Sequence, residues 1–215
     1  MKKNSREYRN MQPLEPLEIR AEEEKSMVVE GFATTFNEPY TLYEDSDLVY
    51  REQVAPDAFS STDMNDVIMQ YDHQGRVFAR ISNKTLTVEP TERGLFITAD
   101  LSGTEIGRNL FEEIAGGYTD KMSFGFTVDG DEELRTESAD GRIDILRTIT
   151  SIKKLYDVSA VSIPANDGTS ISVTTRNRID GAIEEVRAER LEAERIKLER
   201  RRTEVRARAL GGKTD

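Results

Sequence analysis

The sequence predicts a mainly β protein with peripheral helices, built as a closed or nearly closed β-barrel and followed by a C-terminal charged helix. The chain has 215 residues, which is enough for one ordinary domain or for one domain with an extension. Eight or nine short segments rich in β-branched and aromatic residues follow one another. Only one segment before residue 176 has the apolar spacing of a helix. Many short strands in close succession favour a barrel over a parallel α/β sheet.

The predicted strands follow a leader. Residues 1–26 are polar and rich in glutamate, so we expect a leader that is partly disordered, before a folded domain over 27–175. Turn residues at 37–40 separate the first two strands, and 130–141 is predicted to be a polar loop. The strands are predicted over 27–36, 48–54, 67–71, 79–81, 85–88, 94–101, 121–128, 143–155 and 157–163.

One helix is predicted among these strands, over residues 104–115. Its apolar residues recur at helical spacing, namely Ile106, Leu110, Phe111 and Ile114. Thr104 is suited to cap the N-terminus, and Gly116 and Gly117 are suited to end the helix.

The end of the chain has a different composition. Residues 176–215 are predicted to be a charged helical tail, a possible scaffold-like segment. Residues 176–210 contain 11 Lys and Arg against 8 Asp and Glu, although the whole chain has a net charge of −11. A thin apolar stripe predicts a solvated single helix or a weak coiled coil, and its heptad-spaced residues are Leu191, Leu198 and Val205.

The composition excludes several kinds of site. The chain has no cysteine, which excludes a disulfide scaffold, a cysteine nucleophile and a zinc–thiolate site. It has a single histidine, which excludes any site that needs two from one chain. The acidic balance argues against recognition of a nucleic-acid backbone as the main activity. We expect no cofactor, no bound metal and no requirement for nucleic acid.

Membrane insertion and secretion are not expected either. The sequence has no run of about 20 apolar residues, the length that spans a bilayer. Residues 1–17 are polar and lack the apolar region of a secretory signal.

Three residues are candidates for a catalytic site, and each also fits an ordinary structural role. His73 follows an apolar run and precedes Gly75, so we expect it at a strand end or turn. Ser123 lies inside an apolar strand, and Gly125 two residues later allows close approach of another group. A serine becomes an effective nucleophile when a general base takes its proton, and the single histidine is suited to be that base.

Asp157 is the third candidate. It lies in an otherwise apolar strand, where a carboxylate is costly to bury without a partner such as an imidazole N–H. Position alone leaves three other carboxylates open for this role, namely Asp72, Glu89 and Glu92.

Other site classes have weaker support in the sequence. The acidic residues at 44–47 lack the ligand spacing and terminal glutamate of an EF-hand. The glycine-containing segment 103–107 is not followed by the Gly-Lys-Ser/Thr of a phosphate loop.

An ordered set of motifs between about Val28 and Val173 resembles a known family, the prohead serine proteases of tailed bacteriophages. These proteases mature capsids and are similar in fold to herpesvirus assemblin. The motifs, in order, are Glu30-Gly31-Phe32-Ala33, Val54 to Phe59, Tyr71-Asp72-His73, Gly94-Leu95, Thr104 to Leu110, Met122 to Phe126, and Leu155 to Ala165.

The chain departs from the family pattern at three positions. Asp57 stands where glycine is common in a turn, and Phe124 follows the serine where Ile or Val is frequent. Asp157 stands where glutamate is common, which keeps a carboxylate but shortens the side chain by one methylene.

The resemblance implies a fold and an activity. It implies a barrel of the assemblin type and a serine endopeptidase with Ser123 as nucleophile and His73 as base. Assemblins use two histidines, so in this chain the third member must be another residue, and Asp157 occupies the matching position. The expected substrates are the major capsid protein with its scaffold segment, or a separate scaffold protein, and the protease itself. The expected location is the host cytoplasm, inside the immature prohead, and a homo-oligomer is possible.

Two other functions remain open at this stage. The chain fits a catalytically silent capsid assembly factor built on the same barrel. It also fits a β-barrel that binds a ligand, which predicts that His73 and Ser123 do not converge.

Overall fold

The structure is a computed structural model that describes residues 6–11, 18–19, 26–162 and 173–211. The described residues form a mainly β protein with two α-helices, one of them C-terminal, which confirms this part of the predicted fold class. The elements are β1 (Glu7–Met11), β2 (Glu18–Ile19), β3 (Val28–Thr35), β4 (Tyr40–Glu44), β5 (Leu48–Val54), a 3₁₀ helix (Pro56–Phe59), β6 (Ile68–Tyr71), β7 (Gln74–Arg80), β8 (Leu86–Pro90), β9 (Gly94–Asp100), α1 (Glu105–Ala115), β10 (Lys121–Glu137), β11 (Ile143–Val161) and α2 (Val173–Gly211).

The larger sheet is organised around the long strand β11. Its strand order is β1-β10-β11-β5-β4, and β6 also pairs with β11 and carries β7 on its other side. Strands β5 and β6 both run parallel to β11. Strand β5 pairs with residues Ile143–Ile149 of β11, and β6 pairs with residues Asp157–Ala160. Strand β10 pairs antiparallel with β11 along its whole length. The second half of β11 therefore lies between β6 and β10, where the candidate residues are found.

The smaller sheet has the order β2-β3-β9-β8, with every pair antiparallel. An isolated bridge between Phe36 and Val54 joins the two sheets at one point. Neither sheet closes on itself within the described residues, so the predicted barrel is not confirmed.

One apolar core lies between the sheets. It includes Ile97 of β9 and Met122, Phe124 and Phe126 of β10, all fully buried. Successive side chains of a strand point to opposite faces. The alternate residues Ser123 and Gly125 therefore face away from this core.

Helix α1 matches its predicted limits. The Thr104 hydroxyl accepts a hydrogen bond from the backbone N–H of Gly107 at 3.0 Å, which confirms it as the N-cap. Gly116 is the C-cap, and Gly117 has a φ of 72°, a left-handed conformation that glycine adopts at little cost.

Several predicted boundaries are wrong. The strand predicted over 79–81 is the end of β7, which begins directly after the turn at His73. Residues 130–141 are not one loop, because β10 continues to Glu137 and pairs back onto β11 through backbone hydrogen bonds that need no apolar side chains. The strands predicted at 143–155 and 157–163 are one strand, β11, with a register shift where Gly125 and Phe126 face it. Tyr40, placed in a turn, begins β4.

Some predictions fall wholly or partly outside the described residues. The leader predicted over 1–26 contributes β1 and β2, and its other residues before 26 lie outside the description. The predicted strand end at Ile163 and Pro164 also lies outside it.

The chain forms two compact units that divide between Arg176 and Asn177. The second unit consists of α2 from Asn177 onward, a helix as predicted. Its stripe residues are solvent-exposed, including Leu191, Leu198 and Val205. Among the described residues, no helix has the length and apolarity needed to cross a membrane.

Candidate active site

His73 lies in the two-residue turn of the β6–β7 hairpin. Asp72 and His73 have φ values of 46° and 59°, and a two-residue turn of type I′ requires positive φ at both positions. Neither residue is glycine, so the turn is held in a conformation that L side chains rarely adopt. The N–H of Asp72 donates to the backbone oxygen of Ala160 at 3.0 Å, and its carboxylate accepts from the N–H and hydroxyl of Ser162. These bonds fix the turn against the end of β11.

Strand register places Ser123 and Asp157 on the same face. Ser123 of β10 stands opposite Ser159 of β11, and Gly125 stands opposite Asp157. Because side chains alternate along a strand, all four positions face the side of the sheet away from the apolar core. Strand β6 pairs with this part of β11, so its turn brings His73 to the same place.

The three candidate side chains form a continuous hydrogen-bonded chain. His73 Nδ1 lies 2.5 Å from Asp157 Oδ1, and His73 Nε2 is hydrogen-bonded to Ser123 Oγ. Ser123 and Asp157 are fully buried, whereas the His73 side chain is 14% exposed. A carboxylate at Nδ1 favours the tautomer with the proton on Nδ1, which leaves Nε2 free to accept the serine proton.

Asp157 is held in its ionised form. Burial disfavours the charge, but hydrogen bonds from His73 and from Ser159 at 2.7 Å favour it, as do the charges of His73 and Arg6. The pKa of Asp157 therefore lies below its ordinary value. The Arg6 guanidinium forms an ion pair with the second carboxylate oxygen.

Gly125 makes room for this arrangement. A Cβ at this position would collide with the carboxylate of Asp157 and with the ring of Tyr8. The sequence predicts that another group lies close to Gly125. The groups that do so are the side chains of Asp157 and Tyr8.

Strand β1 and the residue before it, Arg6, supply contacts that the sequence did not indicate. The Tyr8 ring lies 4.4 Å from the His73 ring, centroid to centroid, and the Arg6 guanidinium lies 4.3 Å from the Tyr156 ring centroid. The backbone oxygen of Arg9 lies 2.8 Å from Ser123 Oγ. Since a hydroxyl has one hydrogen, Ser123 donates either to Arg9 or to His73 at any moment.

A buried ionic cluster lies on the opposite face of the larger sheet. The carboxylate of Glu52 receives two hydrogen bonds from Arg9 and one from Arg147 at 2.6 Å. The Tyr40 hydroxyl donates to Glu52 at 2.5 Å, and Glu7 accepts from both arginines. Burial opposes ionisation of Glu52, but the two arginines outweigh it and lower its pKa to about 2.

The other candidate carboxylates lie elsewhere. Asp157 is the carboxylate against the imidazole, while Asp72 is bonded to Ser162. Glu89 belongs to β8 and Glu92 to the turn after it, in the other sheet. In the acidic loop, Asp45 accepts from the N–H groups of Asp47 and Leu48. No group of acidic or histidine side chains suited to a metal ion occurs within the described ranges.

A family model described as caudovirus prohead serine protease matches residues 15–182. The chain belongs to the caudovirus prohead serine protease family. The resemblance drawn from the motifs is thereby confirmed, while the similarity to herpesvirus assemblin stays a prediction. Neither a curated protein nor a solved structure matches the chain. The matched region contains His73, Ser123 and Asp157, but it begins after β1.

Proposed function

We propose that the protein is a serine endopeptidase that cleaves capsid or scaffold protein, and itself, during phage head assembly. The observation that carries this proposal is the hydrogen-bonded chain from Ser123 through His73 to Asp157, in a chain of a prohead serine protease family. A nucleophile, a base and a group that orients the base are the three roles that this chemistry needs.

In the proposed mechanism, Ser123 Oγ attacks the scissile carbonyl carbon and transfers its proton to His73 Nε2. His73 then donates this proton to the leaving amine as the C–N bond breaks, which leaves an acyl-enzyme on Ser123. Water, deprotonated by His73, releases the acyl group and restores the serine. Asp157 holds the imidazole tautomer and stabilises the imidazolium, and its lowered pKa keeps it ionised for this role.

The test is processing of the phage's own capsid and scaffold proteins. Ser123→Ala should abolish processing because it removes the attacking oxygen. The matched control is Ser60→Ala, an exposed serine after the 3₁₀ helix, which should process normally. Normal processing by Ser123→Ala would overturn the proposal and favour the silent assembly factor.

The tail is proposed to direct the enzyme into the immature prohead, in the host cytoplasm, by contacts with scaffold helices. The supporting observation is that α2 presents an exposed apolar stripe among charged residues, including Leu191, Leu198 and Val205. Removal of residues 176–215 should reduce incorporation of the protease into proheads but preserve hydrolysis of a soluble peptide. Unchanged incorporation of the truncated protease would contradict this role. In the same proposal, self-cleavage near residue 176 releases the folded domain from the tail.

A further inference from the structure

Strand β1 lies beside the nucleophile as a separate extended segment. It precedes the region that the family model matches, and it forms the edge of the larger sheet against β10. Arg9 stands opposite Phe124 and Asn10 opposite Ser123, in antiparallel register. An extended peptide that adds a strand to a sheet edge is a common mode of peptide recognition.

The contact with Ser123 involves the carbonyl of one particular peptide bond. The backbone oxygen of Arg9, in the bond to Asn10, lies 2.8 Å from Ser123 Oγ. The residues before Arg9 run antiparallel along the residues that follow Ser123 in β10. Strand β1 thus places the carbonyl of Arg9 against the nucleophile. The residues of β1 that precede this carbonyl pair with the backbone of β10.

We propose that β1 occupies the substrate site, with Arg9 in the position of the residue before the cleaved bond and Glu52 as the side chain that selects a basic residue there. The proposal rests on the serine-protease function proposed above. In the corresponding step, Ser123 Oγ bonds to the arginine carbonyl carbon and the C–N bond to the next residue breaks. The serine proton passes through His73 to the leaving amine, and water then releases the new carboxylate.

The surroundings of the Arg9 side chain support selection by Glu52. Both side chains are almost fully buried, and the guanidinium binds the Glu52 carboxylate through Nε and Nη2, the latter at 2.9 Å. A planar guanidinium on a carboxylate is a specific two-point contact. The Tyr40 hydroxyl, also bonded to Glu52 at 2.5 Å, holds this carboxylate in place.

The partners of Glu52 also favour a cationic side chain at this position. Without β1, Glu52 and Asp131 remain around Arg147, which is bonded to both. Glu52 then loses the two hydrogen bonds that it accepts from Arg9, and a buried carboxylate is costly when its hydrogen-bonding partners are lost. A substrate arginine would restore both hydrogen bonds together with a positive charge, whereas a neutral side chain of the same shape would not supply the charge.

The test compares two quenched fluorescent peptides with the sequence of residues 6–13, Arg-Glu-Tyr-Arg-Asn-Met-Gln-Pro. In one peptide, citrulline replaces the arginine that corresponds to Arg9, which removes the charge and keeps the shape. The full-length enzyme should cleave the first peptide after this arginine, with a kcat/KM at least about tenfold higher than for citrulline. Because β1 competes equally with both peptides, this ratio does not depend on how often β1 fills the site.

The Glu52→Gln variant should bring the ratio close to one. The matched control is Asp144→Asn, which removes a carboxylate paired with Arg51 at the partly exposed side of the same sheet and should keep the ratio. If Glu52→Gln does not fold, the ratio of the wild-type enzyme decides alone.

Equal rates for the two peptides, or cleavage at another bond, would overturn the inference. If the same preparation still processes capsid protein in a Ser123-dependent manner, the proposed function stands and only the inference fails. Absence of both activities would overturn the two together.

Discussion

The two faces of the larger sheet carry buried polar clusters of opposite character. On one face, Ser123, His73 and Asp157 form a hydrogen-bonded chain in which the imidazole lies between a hydroxyl and a carboxylate. On the other face, Glu52 lies between Arg9 and Arg147, and its pKa is lowered to about 2. The first cluster is suited to transfer protons. The second cluster holds fixed charges, which are suited to stabilise the fold and to bind a charged side chain of the substrate.

Strand β1 connects the two clusters. Arg6, which directly precedes β1, contacts Asp157, and Tyr8 of β1 contacts His73. Glu7 and Arg9, which alternate with them, belong to the ionic cluster. The comparison therefore predicts that variants of the first cluster affect turnover, whereas variants of the second affect stability and substrate choice.

The largest expected effect is that of Asp157→Asn on turnover. An amide does not hold the required imidazole tautomer, so kcat at neutral pH should fall by about 10⁴-fold with little loss of stability. Steady-state hydrolysis of a soluble peptide measures this, with Asp144→Asn as the surface control. A decrease of only a few-fold would assign the orienting role to another residue.

The next effect is that of Arg147→Met on stability. The variant leaves Glu52 and Asp131 with one buried partner fewer, which should lower the free energy of unfolding by about 3–5 kcal/mol. Urea unfolding in the Ser123→Ala background measures this without self-digestion, and Ser123→Ala itself should change stability by less than about 1 kcal/mol. Equal stability of the two chains would contradict the structural role of the ionic cluster.

Acid should weaken the fold through the ionic cluster. The pKa of Glu52 is about 2 in the folded chain and has an ordinary value of 4.5, so the unfolded chain binds more protons between these values. Its stabilisation is complete above about pH 4.5 and is lost as the pH falls towards 2. Urea unfolding between pH 6 and about 2.5 should show this loss, and Glu52→Gln should flatten the profile. A wild-type profile as flat as that of the variant would exclude the effect.

The smallest effect is expected for Arg6→Ala. The Arg6 side chain is 34% exposed, so its ion pair with Asp157 is partly screened by solvent and should contribute no more than about 1 kcal/mol. Peptide hydrolysis should then change by less than about fivefold. A loss as large as that of Asp157→Asn would make Arg6 an essential positioning residue.

The sequence was most informative where chemistry and local pattern coincide. The sequence predicts His73, Ser123 and Asp157 as candidates from such patterns, and the structure brings these three side chains into contact. The order of the motifs indicates the right family. Helix α1 was also predicted correctly, because its cap and apolar spacing are local signals.

The missed features depend on pairing between distant segments. Strand β1 has the polar sequence Glu-Tyr-Arg-Asn-Met, and its position follows from backbone bonds to β10 more than 100 residues later. The ionic cluster joins β1, β5 and β11, so no local spacing reveals that Glu52 and Arg147 meet. Residues 130–137 of β10 are mostly polar, so the sequence predicts a loop there, although their backbone pairs with β11.

The most direct test of the central claim is reaction of the purified full-length chain with a fluorophosphonate, followed by peptide mass spectrometry. The account predicts a phosphonate on Ser123, and loss of this label in His73→Ala because the serine then lacks its base. No labelling of Ser123, or equal labelling without His73, would contradict the claim that these residues form a catalytic site.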